Sequence, residues 1–317
     1  MSSVQIEKVQ YLGWENCVKI GNGEVELIVT TEVGPRILYY GFCGGFNHMK
    51  VFKEQAGDKG SDEWRIYGGH RLWHSPESMP RTYDLDNFPC EWEVIRGGIQ
   101  IRSPLDRWVQ LAKEIRITLE PKGTCVKLEH RITNKNAWNA EFAAWALTVM
   151  APGGRLVIPQ PDNGPEFLSN RNITLWTYTR LNDPRVRWLD RYVFLDQDTS
   201  ASYTDEPAHR RFDKVPFKIG LSVPDGWAAY ANNGELFVKR FDHVDGVRYP
   251  DSGFCSFETY TNVDMLEIES LSPLTSVEPG QTLIHNEEWQ LFDKVRRPES
   301  ETDADAVVEA IIRPMTE

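Results

Sequence analysis

The chain has 317 residues, of which 40% are apolar and 11% are aromatic, so it can form a large hydrophobic core and is not expected to be disordered. Its formal net charge of −12 disfavours binding to nucleic acids and to anionic membranes, because both of these partners attract basic surfaces. The sequence starts without the basic and apolar segments of a secretory signal, and no apolar run is long enough to cross a bilayer, so we expect a cytoplasmic protein.

Alternation between apolar and polar residues recurs along the chain and predicts β-strands that are buried on one face. The clearest alternating segments are residues 25–29, 99–102, 113–119 and 125–132. Turn-forming residues separate such segments, as at 21–23, 121–123, 134–136, 232–234 and 279–280. Many short strands with regularly spaced turns predict an all-β fold, an antiparallel sandwich or barrel.

Two regions depart from this pattern. Residues 160–215 are rich in Pro, Asn, Asp and Trp and are expected to form long loops with irregular strands. Residues 296–317 are expected to form a charged tail that leads into a short helix and docks on the body. We therefore predict one domain over residues 1–295, followed by this tail.

The five cysteines are odd in number, widely spaced and without a CxxC pair, as expected of buried, reduced thiols in a cytoplasmic protein. The chain has no P-loop, no Rossmann glycine signature and no nucleophile elbow. We therefore predict no cofactor, no nucleotide chemistry and no acyl transfer.

The segment 67–77, with the sequence YGGHRLWHSPE, carries the densest group of functional side chains, namely His70, Arg71, Trp73, His74 and Glu77. Its paired glycines allow a sharp turn or a close backbone approach. His70 and His74 have the HxxxH spacing that can bind a metal ion from one face of a helix. The flanking glycines and Pro76 disfavour a helix here and no third ligand is evident, so we predict no metal site.

Tryptophan is frequent, with eleven residues in the chain. Many of them are expected to pack in the core, but Trp73 and Trp176 lie among polar loop residues and are candidates for lining a pocket. Flat aromatic faces next to hydrogen-bonding side chains suit sugars, whose C–H faces are apolar while their hydroxyl groups need polar partners. This combination predicts a carbohydrate site.

Glu267 and Glu269 are two residues apart in a predicted strand, so both side chains point to the same face. Two neighbouring carboxylates repel each other, and one of them is expected to hold a proton or to pair with a cation. Such a group can act as a general acid or base next to a bound hydroxyl group. The alternative is a solvated strand face with no function.

The chain also contains a set of motifs: GGHRLW at 68–73, YD at 83–84, EIESLSPL at 267–274, VEPG at 277–280 and HNEEW at 285–289. This set resembles the DUF4380 protein family, which looks like a distant branch of the aldose 1-epimerase, or galactose mutarotase, superfamily. The resemblance covers most of residues 20–293. It implies a galactose mutarotase-like supersandwich of two large antiparallel sheets, one of which carries a sugar site.

The resemblance also implies roles for individual residues. In mutarotases, a glutamate on a late strand takes the proton of the anomeric hydroxyl group, one histidine protonates the ring oxygen, and a second histidine helps to hold the sugar. Glu269 is similar to that glutamate, because it precedes the same loop and the turn at 279–280. Tyr83 and Trp145 stand where the two histidines are expected, which leaves Tyr83 or His70 as the proton donor.

We therefore expect a protein that binds a free sugar and acts at its anomeric centre, as an epimerase-like isomerase. The expected catalytic residues are Glu269, His70 and Tyr83, and the expected substrate-binding residues are Arg71, Trp73, His74, Glu77, Trp145 and Glu267. Two alternatives stay open: a sugar-binding protein without catalysis, and a lyase or hydrolase on the same fold. A lyase that acts on uronates would need a basic groove, which the arginines between residues 171 and 211 could supply.

Overall fold

The computed structural model describes residues 4–161, 167–201 and 215–315. In the first half of the chain, the strands are β1 Gln5–Tyr11, β2 Trp14–Gly21, β3 Val25–Thr30, β4 Arg36–Phe42, β5 His70–Ser75, β6 Glu91–Ile95, β7 Gly98–Arg102, β8 Leu111–Leu119, β9 Val126–Asn134, β10 Ala140–Met150 and β11 Arg155–Pro159. In the second half, they are β12 Ile173–Leu175, β13 Val186–Trp188, β14 Tyr192–Asp196, β15 Phe217–Leu221, β16 Trp227–Asn232, β17 Glu235–Phe241, β18 Phe257–Thr261, β19 Leu266–Leu271, β20 Thr275–Val277 and β21 Thr282–Phe292. The helical elements are a 3-10 turn at Arg81–Tyr83, the helix α1 at Glu301–Val307, a π-helical turn at Val308–Ile312 and a 3-10 turn at Arg313–Met315.

These strands form two large sheets. The first sheet has the order β1-β2-β3-β4-β5-β10-β19-β18-β15-β12, and the short strand β20 pairs with the start of β10. The second sheet has the order β13-β14-β11-β16-β17-β21-β9-β8-β7-β6. Neighbouring strands in both sheets are antiparallel. The predicted all-β supersandwich of two antiparallel sheets is confirmed.

The main hydrophobic core lies between the two sheets. Strand β8 shows how the sequence forms it, since Leu111, Ile115, Ile117 and Leu119 are buried while residues 112, 114, 116 and 118 alternate outward. Burial of each such side chain stabilises the fold by about 1.5–3 kcal/mol. The alternating segments of the sequence form β3, β7, β8 and β9, as predicted.

The paired glycines before β5 fix the place where this strand enters the first sheet. Gly68 and Gly69 have φ angles of +96° and +70°. A Cβ atom at Gly69 would lie 2.2 Å from the carbonyl oxygen of Ile37, and one at Gly68 would lie 2.0 Å from that of Lys50. Glycine is therefore needed at both positions for its positive φ and for the close approach of the neighbouring backbone.

The region 160–215 was expected to hold loops and irregular strands. Its described part contains the short strands β12, β13 and β14, joined by turns and loops. Residues 162–166 and 202–214, which include Arg210 and Arg211, lie outside the described residues.

The segment after β21 packs on the outer face of the second sheet. Ser300 caps helix α1 by accepting a hydrogen bond from a backbone N–H of its first turn. Ala304 and Ile312 are buried against the apolar residues that this sheet directs away from the main core. Arg155 of β11 binds the carboxylate of Glu299 at 2.6 Å, which ties the segment to the sheet.

No helix in the described ranges has both the length and the apolar character needed to cross a bilayer. The five cysteines, all of which are described, form no disulfide with one another. Cys43 is exposed, which departs from the expectation of buried thiols.

Candidate functional site

Strand β5 carries four of the predicted site residues and presents polar side chains on both faces. Successive side chains of a strand point to opposite sides of the sheet. His70 and His74 are directed between the sheets, where His70 contacts His130 of the second sheet. Arg71 and Trp73 are directed to the outer face of the first sheet. The strand therefore divides the predicted residues into two groups.

Cross-strand pairing brings residues that are distant in sequence to the same outer face. Trp145 of β10 lies opposite Trp73 of β5. Glu269 of β19 lies opposite Glu258 of β18. The next strand, β15, contributes Lys218, whose ammonium group reaches both of these carboxylates.

These side chains border a cavity of about 310 Å³, a volume in the range of small-molecule sites. Loops that precede and follow β5 close over it. The predicted site residues that line the cavity are Arg71, Trp73, Glu77, Tyr83, Trp145 and Glu267. The other lining residues are Trp64, Ile66, Leu147, Tyr178, Lys218, Tyr260 and Met265.

Aromatic rings form one wall of the cavity. The ring centroid of Trp73 lies 5.9 Å from that of Trp64, 5.0 Å from that of Tyr83 and 5.7 Å from that of Trp145, each pair packed edge to face. Trp73 and Trp145 are 4% and 3% exposed, so packing holds both rings in place. The wall therefore offers rigid apolar surface to a ligand.

An ion pair lies at the cavity beside this wall. Nη1 of Arg71 lies 3.0 Å from Oε1 of Glu267, and both side chains are buried. The Arg71 guanidinium also stacks over Trp73, 4.7 Å from the ring centroid. Arg71 is thus held at the cavity by a charge on one side and a ring on the other.

Glu269 is fully buried immediately behind the cavity. Its Oε2 accepts a hydrogen bond of 2.9 Å from the indole Nε1 of Trp145 and one of 3.3 Å from Nζ of Lys218. The same Nζ lies 2.8 Å from Oε2 of Glu258. Two carboxylates therefore share one ammonium group.

Several buried polar atoms around the cavity have no hydrogen-bond partner among the described residues. They are Nε and Nη1 of Arg71 and one carboxylate oxygen each of Glu258, Glu267 and Glu269. Arg71 and Glu267 approach each other without hydrogen-bond geometry. Leaving a buried polar atom unpaired costs about 1–3 kcal/mol, so such a cluster points to a polar molecule that completes these bonds.

Burial and charge shift the protonation of this cluster. Burial raises the pKa of Glu269 to about 7, although the Lys218 ammonium works in the opposite direction. Burial also raises the pKa of Glu258 well above its ordinary value. For Lys218, burial opposes the charge, but Glu258 and Glu269 outweigh it and hold its pKa well above the ordinary value. Glu269 is therefore able to gain or lose a proton near neutral pH.

Tyr83 and Glu77 form a second polar pair at the cavity. The Tyr83 hydroxyl donates a hydrogen bond to Oε1 of Glu77. Burial and this carboxylate raise the pKa of Tyr83. Tyr83 is therefore a neutral hydroxyl group with a defined orientation at neutral pH.

His70 belongs to a hydrogen-bond network between the sheets. Its Nδ1 lies 2.8 Å from the hydroxyl of Thr148, and its Nε2 lies 2.8 Å from Nε2 of His130. The Nδ1 of His130 lies 3.0 Å from the carbonyl oxygen of His285 and donates to it, so Nε2 of His130 accepts from His70. His70 does not line the cavity.

The same network accounts for the other polar groups nearby. His285 donates to Ser270 at 2.6 Å, and Ser270 donates to Oε1 of Glu287 at 2.5 Å. Lys239 and the indole of Trp289 each donate to Glu287 at 2.8 Å. Burial lowers the pKa of His285 to about 3, which agrees with a neutral ring.

His70, His130 and Glu287 are close enough together to suggest a metal site. The two histidine rings, however, are hydrogen-bonded directly to each other, and Glu287 is already saturated by donors that include the Lys239 ammonium. A metal ion would have to displace these bonds and share the space with a buried positive charge. These residues fit a closed hydrogen-bond network rather than a metal centre.

His74 also faces the interior. Burial lowers its pKa to about 3, with a further contribution from the Lys113 and Arg81 charges. Neither ring nitrogen has a hydrogen-bond partner in the described part of the chain. Like His70, it is separated from the cavity by the sheet itself.

Five residues at or behind the cavity were not predicted from the sequence, namely Trp64, Tyr178, Lys218, Glu258 and Tyr260. Strand alternation around residues 217–221 and 257–261 was the available signal, since a charged residue recurs there inside an apolar strand. Lys218 and Glu258 are buried charged residues of neighbouring strands, and they can be recognised as an ion pair once the strand order is known.

A larger groove of about 520 Å³ lies on the outer face of the second sheet. Its charged side chains pair with one another, as Arg116 does with Glu129 at 3.3 Å, and many of them are exposed. Such ion pairs are typical of a solvated sheet face. The smaller aromatic cavity therefore remains the stronger candidate site.

No protein-family model matches the chain, and no curated protein matches its sequence. Solved structures do share its fold. A candidate aldose 1-epimerase from Klebsiella pneumoniae has a TM-score of 0.60 and 12% identity, over 98% of this chain and 87% of that one. A galactose mutarotase-like protein from Lactobacillus casei has a TM-score of 0.57 and 9% identity, over 87% of this chain and 100% of that one. Another such protein, from Clostridium acetobutylicum, has a TM-score of 0.54 and 8% identity, over 92% and 100%.

Proposed function

We propose that the chain, which has the fold of galactose mutarotase-like proteins, binds a free sugar in the aromatic cavity and interconverts the anomers of that sugar, with Glu269 as the general base. The sequence identities to those proteins establish the fold alone. The observation that supports this most strongly is the cluster of unpaired buried polar atoms on Arg71, Glu267 and Glu269 beside a wall of aromatic rings.

A sugar satisfies both halves of this site. Its C–H face can pack on Trp73 and its neighbours, while its hydroxyl groups can donate to carboxylate oxygens and accept from Arg71. The charges in and behind the cavity largely balance one another. Arg71 pairs with Glu267, and Lys218 pairs with Glu258 and Glu269. A neutral ligand is therefore favoured over an anionic one.

In the proposed reaction, the ionised Glu269 removes the proton from the anomeric hydroxyl group. The bond between C1 and the ring oxygen breaks, its electron pair goes to the ring oxygen, and that oxygen receives a proton. After rotation about C1–C2, the same steps run in reverse and close the ring with the other configuration. The pKa of Glu269, about 7, suits a group that both takes up and returns a proton.

Tyr83 is the proposed proton donor. It lines the cavity, whereas His70 points to the opposite face of the sheet. Its hydroxyl is held at the cavity by the hydrogen bond to Glu77, and in the reaction it gives its proton to the ring oxygen and takes it back when the ring closes. The substrate-binding roles are proposed for Arg71, Trp73, Trp145 and Glu267, and His74 is left out because it faces the interior.

A sugar-binding protein without catalysis is the second candidate. It is favoured by the lining of the cavity, which contains no histidine among the described residues, and by the ion pair that already engages Glu269. Trp145 likewise occupies a position for which the resemblance implied a histidine.

A lyase or hydrolase is less well supported. Four described arginines of the 171–191 region do not line the cavity and are engaged by other groups: Arg171 contacts the carbonyl of Pro161, Arg185 pairs with Asp183, Arg187 contacts the carbonyl of Glu299 and Arg191 pairs with Asp305. The basic groove that a uronate would need is thus not assembled from them.

Two finer assignments accompany this proposal. Membership of the DUF4380 family rests on the motifs at 68–73 and 267–289. A cytoplasmic location rests on the cysteine usage.

Exchange NMR with a panel of aldoses tests the proposal, since it measures the rate of anomer interconversion at equilibrium. We expect the wild-type protein to accelerate exchange for at least one sugar, and Glu269→Gln to abolish the acceleration while binding persists. The exposed Glu278→Gln is the matched control and is expected to behave as wild type.

Calorimetric titration of the same panel separates the two candidates. Saturable binding that is lost in Trp73→Ala and kept in the exposed Trp138→Ala, without any exchange acceleration, would replace the isomerase by the non-catalytic binder. Failure of every sugar to bind would refute both.

A further inference from the structure

We propose that Lys218 is a positioning residue that keeps Glu269 ionised, by binding it together with Glu258 so that Glu258 carries the proton of the carboxylate pair. The inference deepens the proposed function and rests on it for the role of Glu269 as the base. The arrangement of the three charges can be tested without any sugar.

The register of three neighbouring strands creates this unit. Glu258 of β18 and Glu269 of β19 are direct cross-strand partners on the outer face. Two carboxylates in that position would repel each other if both were ionised. Lys218 reaches them from β15, on the far side of β18, with its Nζ at 2.8 Å from Glu258 and 3.3 Å from Glu269.

The surroundings keep the ammonium group in place. Its Nζ lies 4.6 Å from the ring centroids of both Trp145 and Trp176, so it is held between two aromatic faces. Thr179 exchanges hydrogen bonds with the backbone of Lys218, which fixes the turn that carries Trp176 over the strand. Lys218 is 4% exposed, and little water screens its charge.

The number of charges decides the protonation of the unit. One ammonium group balances one carboxylate, and a second buried negative charge would be uncompensated. Glu269 accepts hydrogen bonds from both Trp145 and Lys218, whereas Glu258 accepts from Lys218 and has a second oxygen without a partner among the described residues. Two donors stabilise the charged form of Glu269 more than one donor stabilises that of Glu258.

Other charged and titratable groups also face this unit, and each of them enters the balance. They are Arg71, Glu77, Tyr178, Lys239, Asp251 and Glu267. Arg71 is paired with Glu267, so these two largely cancel each other's effect. Removal of Lys218 is therefore expected to change the protonation of Glu269 more than the loss of any one of the others.

The test is a carbon-13 NMR titration of protein labelled at the glutamate side-chain carboxyl carbon. The resonances of Glu258 and Glu269 are identified by their loss in Glu258→Gln and Glu269→Gln. In the wild type, we expect Glu269 to titrate with a midpoint near its pKa of about 7, and Glu258 to stay protonated above that midpoint.

Three variants then test the role of Lys218. We expect Lys218→Met to raise the midpoint of Glu269 by about 1–3 pH units, and Lys218→Arg to restore it. In Glu258→Gln, the midpoint of Glu269 should stay within about half a pH unit of its wild-type value, because Gln replaces a carboxyl group that is already neutral. The exposed Lys127→Met is the control and should change neither resonance.

An unchanged Glu269 midpoint in Lys218→Met would overturn the inference, and so would a midpoint that falls by a unit or more in Glu258→Gln. If Lys218→Met does not fold, Glu258→Gln and Lys218→Arg still decide the matter. Exchange NMR provides the link to function: the pH profile of anomer interconversion should move with the Glu269 midpoint. If the titrations behave as expected and no exchange occurs, the proposed isomerase activity fails while the charge arrangement stands.

Discussion

Replacement of His74 by Leu is expected to stabilise the protein, and to do so increasingly as the pH falls. His74 is buried, and neither ring nitrogen has a hydrogen-bond partner among the described residues. Leucine removes the two unpaired ring nitrogens, which should raise the free energy of unfolding by about 1–3 kcal/mol. This gain applies at a pH of about 7.5, where the histidine is neutral in both the folded and the unfolded protein.

The pH dependence follows from the difference between the folded and unfolded pKa values. The folded pKa is about 3, whereas the unfolded value is near 6.5, so below pH 6.5 the unfolded chain takes up a proton that the folded protein refuses. His74 therefore destabilises the wild type progressively as the pH falls below about 6.5. The cost is about 1–1.5 kcal/mol at a pH of about 5.5 and about 2.5–3 kcal/mol at about 4.5.

Urea unfolding of the wild type and the variant at these pH values measures the effect. The difference between the two proteins is the quantity of interest, because the raised pKa values of Glu258 and Glu269 move the stability of both proteins in the opposite direction. His74→Gln is the matched control: it keeps a polar group and should show the same pH-dependent gain without the gain at neutral pH. A stability difference between His74→Leu and wild type that stays constant from pH 7.5 to 4.5 would refute this reasoning.

Three further outcomes are expected. Gly69→Ala should destabilise the protein by at least about 3 kcal/mol in urea unfolding, because its Cβ would lie 2.2 Å from a backbone carbonyl oxygen. Gly280→Ala, which has open space around its Cβ, should cost about 1–2 kcal/mol. Equal losses in the two variants would contradict the steric explanation. Ser270→Ala should cost about 1–3 kcal/mol, because it leaves the buried ring N–H of His285 without its acceptor and removes one of the donors to Glu287, and a loss below about 0.5 kcal/mol would show that the interior network contributes little. Arg71→Lys should weaken sugar binding in calorimetry by roughly tenfold, since lysine keeps the charge and loses the fork of donors, and unchanged affinity would remove Arg71 from the binding site.

The fold could be predicted because its signal is local. Alternation at 113–119 and 125–132 requires one apolar and one polar face, and the turns between such segments fix where strands end. The paired glycines at 68–69 also pointed to a close backbone approach, which the structure places against β4 for Gly69 and against Lys50 for Gly68. None of these inferences depends on which strands become neighbours.

The site was harder to predict, because β5 carries polar residues on both faces. In the stretch His-Arg-Leu-Trp-His-Ser, alternation does not tell which face belongs to the core, since all six residues are buried. His70 and Arg71 were therefore assigned to one site, although the sheet separates them. Lys218 and Glu258 were missed for a related reason: their pairing depends on the order β15-β18-β19, which no local pattern encodes.

Charged side chains on both sides of β19 influence the carboxylate of Glu269. Lys239 lies behind the first sheet, where it is fully buried, binds Glu287 and donates to the carbonyl oxygen of Ile268, the residue before Glu269. Lys218 lies in front of the same strand. Glu269 is thus placed between two buried ammonium groups in a region of low dielectric constant, where each favours its ionised form, Lys218 more strongly than Lys239 because Glu287 offsets much of the Lys239 charge. The interior network is therefore more than a means of holding the sheets together, because its one positive charge also supports the charge of the proposed base on the other side of the sheet.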